Sequence, residues 1–328
     1  MTLPAILQNL RLPLIGAPLF IISRPELVIA QCKAGIIGTF PALNAREKDG
    51  ESLEAWIIHI RDELDRHNQA NPDMPAAPFG INQIVHKSNA RLDRDVEIAA
   101  RLEVPIWITS LGAREDVYEA AHSGNGIVLH DVINNWFAKK AISKGADGLV
   151  AVAAGAGGHA GALSPLALIQ EIRAWFEGPL YLSGAIAKGD SILAALAMGA
   201  DGGYAGSAFI ATEEANAVQN YKQMIADSAA DDIVYSNLFT GVHGNYLKPS
   251  IAAAGLDPDN LERSDPTKMN FSEDRQKPKS WKEIWGSGQG IGAIDQVTTT
   301  AELVASLSEQ FETAKERLAR QVYKYGQN

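Results

Sequence analysis

The 328-residue sequence contains a single cysteine, Cys32, which excludes an intramolecular disulfide framework and a cysteine-rich metal site. Basic residues are also few: 29 Lys and Arg stand against 39 Asp and Glu, giving a formal net charge of −10. A net charge of this sign disfavours electrostatic binding to nucleic acid or anionic lipid. No apolar run reaches the roughly 18 residues of a membrane span, and no signal peptide precedes the first predicted strand. We therefore expect an untargeted cytoplasmic protein that acts on small molecules.

What the sequence does contain is a regular alternation of short apolar runs and amphipathic stretches, the pattern of repeated βα units. The predicted strands are Leu14–Ala17, Ile36–Thr39, Phe79–Asn82, Ile106–Thr109, Ile127–His130, Leu149–Ala153, Leu180–Ser183 and Gly203–Ala205. The predicted helices are Pro25–Ala34, Leu53–His67, Arg91–Leu102, Arg114–His122, Asn135–Lys144, Pro165–Phe176, Ser191–Met198 and Glu213–Ala226. Eight such units predict the α/β class and a closed (β/α)8 TIM barrel rather than an open doubly wound sheet.

The pattern changes after position 226, where glycine, proline and aspartate become frequent. Residues 271–292 combine Trp281 and Trp285 with several glycines, and Thr300–Tyr323 returns to helical spacing. One face of that last helix carries Leu303, Leu307, Phe311 and Ala314. We predict a barrel over residues 1–228, and a C-terminal cap of loops and a closing helix over residues 229–328 that packs on it.

Small residues follow the last two predicted strands, where barrels of this class often hold a phosphate group. Ser183, Gly184 and Ala185 follow the seventh strand, and Gly206 and Ser207 follow the eighth. Residues of this size let backbone N–H groups approach an anion. The two loops therefore predict a site for one phosphate; the alternative is that Gly184 and Gly206 only permit tight turns.

The sixth predicted strand leads into the motif GAGGHAG, residues 155–161, in which His159 is the one bulky side chain. The glycines resemble a dinucleotide fingerprint, but the next strand, LYLSGAIA, ends without the acidic residue that this motif requires. A glycine-lined approach for a flat ligand, with His159 over it, is the better interpretation. The imidazole could serve as general base or as hydrogen-bond donor to a developing anion, or it could bond only a neighbouring carbonyl group.

The remaining histidines are weaker candidates. His130 and Asp131 end the fifth strand, where they either line the pocket or bond each other, and His243 in the stretch GVHGNY is a candidate substrate-binding residue. Three histidines on predicted helices are interpreted as structural: His59, His67 and His122. No ligand pair at metal spacing is visible, so no metal site is predicted.

Four segments together resemble the nitronate monooxygenase family, also called 2-nitropropane dioxygenases, and the resemblance extends over nearly the whole chain. The segments are LIGAPLF (14–20), GAGGHAG (155–161), LSGAIAKGDSILAALAMGADGGYAGSAFIAT (182–212) and WKEIWGSGQGIGAID (281–295). The resemblance implies an FMN-dependent barrel with the FMN phosphate between the seventh and eighth loops and His159 facing the flavin. Relatives with the same architecture include NAD(P)H:quinone reductases and a flavin-dependent enoyl-thioester reductase.

The resemblance also implies roles for individual residues. Ala17, Pro18 and Leu19 are expected along the isoalloxazine ring, Asn82 at its pyrimidine edge, and Gly157 against the cofactor. The phosphate is expected to be held by Ser183, Gly184, Ala185, Gly206 and Ser207.

Two positions depart from the family pattern. Many members carry glutamine where this chain has Val152, and quinone-reductase relatives carry lysine where this chain has Asp131. A lysine beside the flavin stabilises an anionic reduced ring, whereas Asp131, counted here among the cofactor-binding residues, would oppose it.

The function that this resemblance predicts is FMN-dependent nitronate monooxygenation: a nitronate reduces the flavin, and O2 completes oxidative denitrification to a carbonyl compound and nitrite. The first alternative is an NAD(P)H-dependent quinone or enoyl reductase, with NAD(P)H as co-substrate. A flavin-binding protein without turnover and a non-flavin barrel that acts on a phosphorylated metabolite are the others. The sequence leaves open whether the chain is a monomer or a homodimer.

Overall fold

Eight parallel strands form a closed barrel in the computed structural model, which describes residues 3–46, 50–239, 241–263 and 284–325. The barrel strands are β1 Leu14–Gly16, β2 Ile37–Pro41, β3 Phe79–Ile84, β4 Ile106–Ser110, β5 Ile127–Val132, β6 Gly148–Val152, β8 Leu180–Ser183 and β9 Gly202–Ala205. They are hydrogen-bonded in chain order, and β1 closes the barrel by pairing with β9. The predicted (β/α)8 barrel is confirmed, with shifts of a few residues at strand ends.

Helices follow the barrel strands in the chain. They are α1 Pro25–Lys33, α2 Leu53–Ala70, α3 Leu92–Arg101, α4 Glu115–Ser123, α5 Asn135–Ser143, α6 Pro165–Arg173, α7 Gly189–Met198, α8 Ser207–Ile210 and α9 Gln219–Asp227. The predicted helix Glu213–Ala226 is wrong in its first half. The N–H group of Glu213 donates to the Thr298 carbonyl group at 2.9 Å, and that of Asn216 donates to the Ile22 carbonyl group at 3.1 Å. These long-range bonds use the backbone groups that a helix would need.

The strands are buried on both faces because side chains alternate between the barrel interior and the ring of helices. Inside the barrel, one cluster of buried side chains includes Ile15, Ile37, Ile108, Leu129, Val150 and Tyr181. Side chains on the outer face of the strands, such as Phe40, Trp107 and Val128, belong to a second and larger cluster shared with the helices. This alternation decides which residues at the strand ends face the mouth of the barrel.

A small antiparallel sheet, absent from the sequence-based prediction, joins the glycine motif to the C-terminal part of the chain. It consists of β7 Gly158–His159, β10 Ile233–Ser236 and β11 Gly244–Leu247 in the order β10-β11-β7. Gly244 of β11 lies directly opposite His159 of β7. No strand was predicted within this motif. Glycine has low strand propensity, and β7 is held by its pairing with β11.

The C-terminal part of the chain packs on the barrel. It contributes α10 Lys248–Ala253 and α11 Thr300–Tyr323, and α11 contacts α7 and α1. The predicted apolar face is present: Leu307, Phe311 and Ala314 are buried, and Leu303 is partly buried. Trp285 stacks on Tyr221 with ring centroids 4.8 Å apart. Trp281 and most of residues 271–292 lie outside the described residues, and the domain boundary after residue 228 stays a prediction.

Among the described helices, none combines the length and apolar character required to cross a membrane.

Gly189, the first residue of α7, lies directly against the backbone of α11. A Cβ atom there would lie 2.5 Å from the carbonyl oxygen of Leu307 and would also overlap the backbone of Phe311. We predict that Gly189→Ala lowers the free energy of unfolding by about 1–3 kcal/mol, the usual effect of overpacking. This loss exceeds the gain of about 1 kcal/mol or less that alanine gives in a helix.

Urea unfolding of the parent and the variant measures this difference. Gly286→Ala is the matched control, because its Cβ atom would find its nearest neighbour at an ordinary 3.5 Å. Equal stability of Gly189→Ala and the parent would show that α11 is not held against α7 as described.

Candidate active site

A glycine-lined cleft of about 270 Å³ lies at the C-terminal ends of β6, β8 and β9. All five residues predicted to hold a phosphate line it, together with Gly157. Of the other lining residues, Gly155 and Ala156 belong to the motif that was predicted to form a glycine-lined approach for a flat ligand. Sequence reasoning assigned no such role to Ile186, Ala187, Tyr204, Gly288 and Gly290. Gly288 and Gly290 belong to the glycine-rich motif GSGQGIG. The motif is visible in the sequence, but only the folded structure shows that it lies at the barrel.

The cleft is held together by hydrogen bonds that link three separate loops. The carbonyl oxygen of Gly155 accepts from the N–H groups of Ala185 at 3.2 Å and Gln289 at 2.9 Å. The Oγ of Ser207 accepts from the N–H group of Gly288 at 2.8 Å and from the hydroxyl group of Ser287 at 3.1 Å. The C-terminal segment is therefore a structural part of this site.

The glycines of the cleft are needed for different reasons. Gly184 has φ +144°, and a Cβ atom there would lie 2.8 Å from the Ala154 carbonyl oxygen, so the turn itself requires glycine. Gly206 has φ −113°, and its Cβ atom would meet only the side chains of Leu19 at 3.1 Å and Ala17 at 3.5 Å. At Gly206 the absent side chain keeps the cleft open rather than permitting a turn.

Backbone donors are available in this part of the cleft. The N–H groups of Gly206 and Ser207 have no hydrogen-bond acceptor among the residues that the structure describes. Two such donors, with no side chain at Gly206 to block the approach, suit a small anionic group such as a phosphate.

Ala17 and Leu19 lie beside Gly206, within 3.5 Å of the place where its Cβ atom would stand, but they are not among the residues that line the cleft. The N–H group of Leu19 donates to Ser23 Oγ at 2.9 Å, and its carbonyl oxygen accepts from Asn44 Nδ2 at 3.0 Å. These bonds fix the backbone of Leu19 next to Gly206. Contact of Ala17, Pro18 and Leu19 with a flavin ring stays a prediction.

His159 lies two residues after the cleft-lining Gly157 and is partly buried on β7. The loop before it is anchored by the buried Asn245, whose Nδ2 donates to the Ala156 carbonyl oxygen at 2.6 Å. Burial disfavours the charged imidazolium and lowers the pKa of His159 to about 4. At neutral pH the ring is therefore uncharged, with one donor and one acceptor nitrogen.

His130 and Asp131 do not bond each other; they point in opposite directions. His130 faces the helices, where its Nδ1 lies 2.7 Å from Thr109 Oγ1 and 3.0 Å from Tyr118 Oη, and burial lowers its pKa to about 4. Asp131 faces the barrel interior and accepts a hydrogen bond from Ser110 Oγ at 2.5 Å. His130 is structural, and Asp131 lies at the barrel mouth.

Asn82 belongs to the same polar group as Asp131. Its Nδ2 donates to Ser110 Oγ at 2.8 Å and to the Ile108 carbonyl oxygen at 3.2 Å. Its amide hydrogens are thus engaged within the protein, and Oδ1 is the atom left to interact with a ligand. The predicted bond from Asn82 to the flavin remains a prediction, restricted to that oxygen.

His243 lies apart from the glycine-lined cleft. Its exposed ring stacks on Tyr235 with centroids 5.0 Å apart, beside a second cleft of about 700 Å³. Because Gly244 is opposite His159 in the ladder, the side chain of His243 points to the other face of the small sheet. Its predicted role in substrate binding stays a prediction. Over the described ranges, no three His, Cys, Asp or Glu side chains are grouped to hold a metal ion.

A closed (β/α)8 barrel with a glycine-lined cleft after its last strands is the architecture of a barrel enzyme with its active site at the C-terminal face. The model of the nitronate monooxygenase family matches residues 5–310. The chain therefore belongs to the nitronate monooxygenase family, and it is a flavin-dependent oxidoreductase that acts on a small molecule.

Individual relatives are distant in sequence. A nitronate monooxygenase of Paraburkholderia phytofirmans is 25% identical, with 93% of this chain and 94% of that protein covered. Rv1533 of Mycobacterium tuberculosis, described as a monooxygenase, is 27% identical over 66% of this chain and only 61% of that protein. A nitroalkane oxidase from Streptomyces ansochromogenes has a similar fold, with a TM-score of 0.79 and 20% identity; the match covers 96% of this chain and 100% of that protein. FabK from Thermotoga maritima has a TM-score of 0.75 and 21% identity, and the match covers 96% of this chain and 97% of that protein.

The low pKa of His159 can be observed directly. We predict that its imidazole becomes half protonated near pH 4 in the flavin-free protein, well below the usual value of about 6.5. Nitrogen-15 NMR of histidine-labelled protein between pH 3.5 and 8 measures this titration, and the signals missing in His159→Asn assign the resonances. Titration near pH 6.5 would mean that the ring is solvated rather than buried.

Proposed function

We propose that this protein is an FMN-dependent nitronate monooxygenase that converts nitronates to carbonyl compounds and nitrite with O2. The observation that carries the proposal is a cleft that offers backbone donors to one phosphate group, followed two residues after its lining Gly157 by His159, which is uncharged at neutral pH. Membership of the nitronate monooxygenase family supports the reaction class.

FMN is proposed rather than FAD because the cleft offers one group of backbone donors, the N–H groups of Gly206 and Ser207. These donors suit a single phosphate group. The residues proposed to hold the phosphate are Ser183, Gly184, Ala185, Gly206 and Ser207, with Gly157 and Gly288 beside them. When bound, the flavin accepts electrons from the organic substrate and makes them available to O2.

His159 is proposed to hold the nitro group of the substrate rather than to remove its α-proton. A ring with a pKa of about 4 is a weak base near neutral pH, where general bases work best with a pKa close to the working pH. Its N–H group can still donate to the negatively charged oxygens of a nitronate. This role favours a substrate that arrives already deprotonated.

Anaerobic mixing with separate electron donors tests the proposed function. A nitronate is expected to bleach the flavin absorbance within turnover time, whereas NADH and NADPH are not. Rapid bleaching by NADH or NADPH alone would assign the protein to the quinone or enoyl reductases. No bleaching by any donor would point to a flavin-binding protein without turnover.

The role of His159 has its own test. We predict that His159→Asn lowers kcat/KM by a factor of about 10² to 10³ for both the nitronate and the neutral nitroalkane, because each reaction loses the same charge-stabilising hydrogen bond. Steady-state oxygen consumption measures both rates. A loss confined to the neutral nitroalkane, by a factor of about 10² to 10⁴, would identify His159 as the base instead. Unchanged rates with flavin bound would remove it from the mechanism.

A further inference from the structure

The carboxyl group of Asp131 is the polar group at the barrel mouth that the proposed mechanism does not use. Asp131 follows Leu129 of the interior cluster by two residues, so alternation directs it into the barrel at the C-terminal end of β5. Its Oδ2 accepts from Ser110 at 2.5 Å, and its Oδ1 is buried without a hydrogen-bond partner among the described residues. A buried carboxylate in this position lacks the donors that normally stabilise its charge.

The groups that face Asp131 do not supply a compensating positive charge. From β4 it meets Ser110, and the hydroxyl of Tyr204 on β9 is close enough that the charge of Asp131 helps to raise the pKa of that tyrosine. Its register neighbour on β6 is Val150, and His130 beside it points to the helices. Over the described residues, no Lys, Arg or His forms an ion pair with Asp131.

Burial accordingly raises the pKa of Asp131 to about 7, against the opposing effect of the Ser110 hydrogen bond. The group is thus half protonated near neutral pH before any ligand binds. His159 stays neutral above about pH 4, and burial raises the pKa of Tyr204 well above its usual value, so neither group titrates in the same range.

On the basis of the proposed function, we propose that Asp131 takes up a proton when a flavin ring covers the barrel mouth. The ring would displace the remaining water and would make an unpaired carboxylate still less favourable. The protonated carboxyl group is neutral and has an O–H donor that the carboxylate lacks. Asp131 is therefore a proton-binding group of the cofactor site, and cofactor affinity is linked to its protonation.

The sign of this linkage follows from the two protonation states. Because the bound form holds the proton more tightly, affinity is greatest at low pH and falls as the pH rises above about 7, by at most about tenfold per pH unit. The FMN phosphate also ionises near pH 6, which would obscure the effect. Riboflavin lacks the phosphate and isolates the contribution of the protein.

Calorimetric titration of the full chain, freed of flavin, provides the test. Riboflavin and FMN are each titrated at pH 8 in two buffers with different ionisation enthalpies, which gives the number of protons taken up. The parent is expected to take up close to one proton with either flavin. Asp131→Asn is expected to take up none, while Asp65→Asn, which removes an exposed carboxylate on α2, behaves as the parent does.

Ser110→Ala separates titration from a structural role. Removing the hydrogen bond that favours the carboxylate is expected to shift the loss of riboflavin affinity to higher pH while proton uptake persists. Flavin binding by the parent without proton uptake, or uptake unchanged in Asp131→Asn, would overturn this inference and leave the proposed function intact. Failure of both flavins to bind the parent would overturn the inference and the proposed function together.

Discussion

The carbonyl oxygen of Gly155 is the acceptor on which the candidate active site depends. It accepts hydrogen bonds from the N–H group of Ala185, in the loop after β8, and from that of Gln289, in the C-terminal segment. A further bond from Gly288 to Ser207 joins the same segment to the loop after β9. Three barrel loops are thus hydrogen-bonded to a stretch of chain that follows the last barrel strand by about 80 residues. The cap is therefore better understood as a wall of the cleft than as a cover.

The balance of charge at the barrel mouth follows from burial rather than from residue type. His159 is neutral because its imidazolium would be desolvated, and Asp131 is partly neutral for the corresponding reason. If both residues were charged, His159 would be a cation and Asp131 an anion, and the negative charge of Asp131 would repel a nitronate. In the observed environment, the polar groups offer hydrogen bonds with little fixed charge, which suits an anionic substrate on a flat cofactor.

The sequence was informative where structure is local and uninformative where it depends on distant pairing. The strand Leu180–Ser183 was predicted with its observed ends because an apolar run stops at Ser183 and Gly184. By contrast, β7 is two residues long and depends on Gly244, so no local pattern could indicate it. The opposite directions of His130 and Asp131 required the exact register of β5, since one residue changes the face. Gly288 and Gly290 were visible as glycines, but only folding brings them to the barrel.

The central claim is that the cleft around Gly155 holds the phosphate of FMN, and the mass and amount of the released cofactor test it most directly. Purified parent protein is expected to release FMN in a one-to-one ratio. Gly206→Val, which fills the open side of the cleft without disturbing a positive φ angle, is expected to fold but to release none. Release of FAD by the parent, or full FMN occupancy in a folded Gly206→Val variant, would contradict the account.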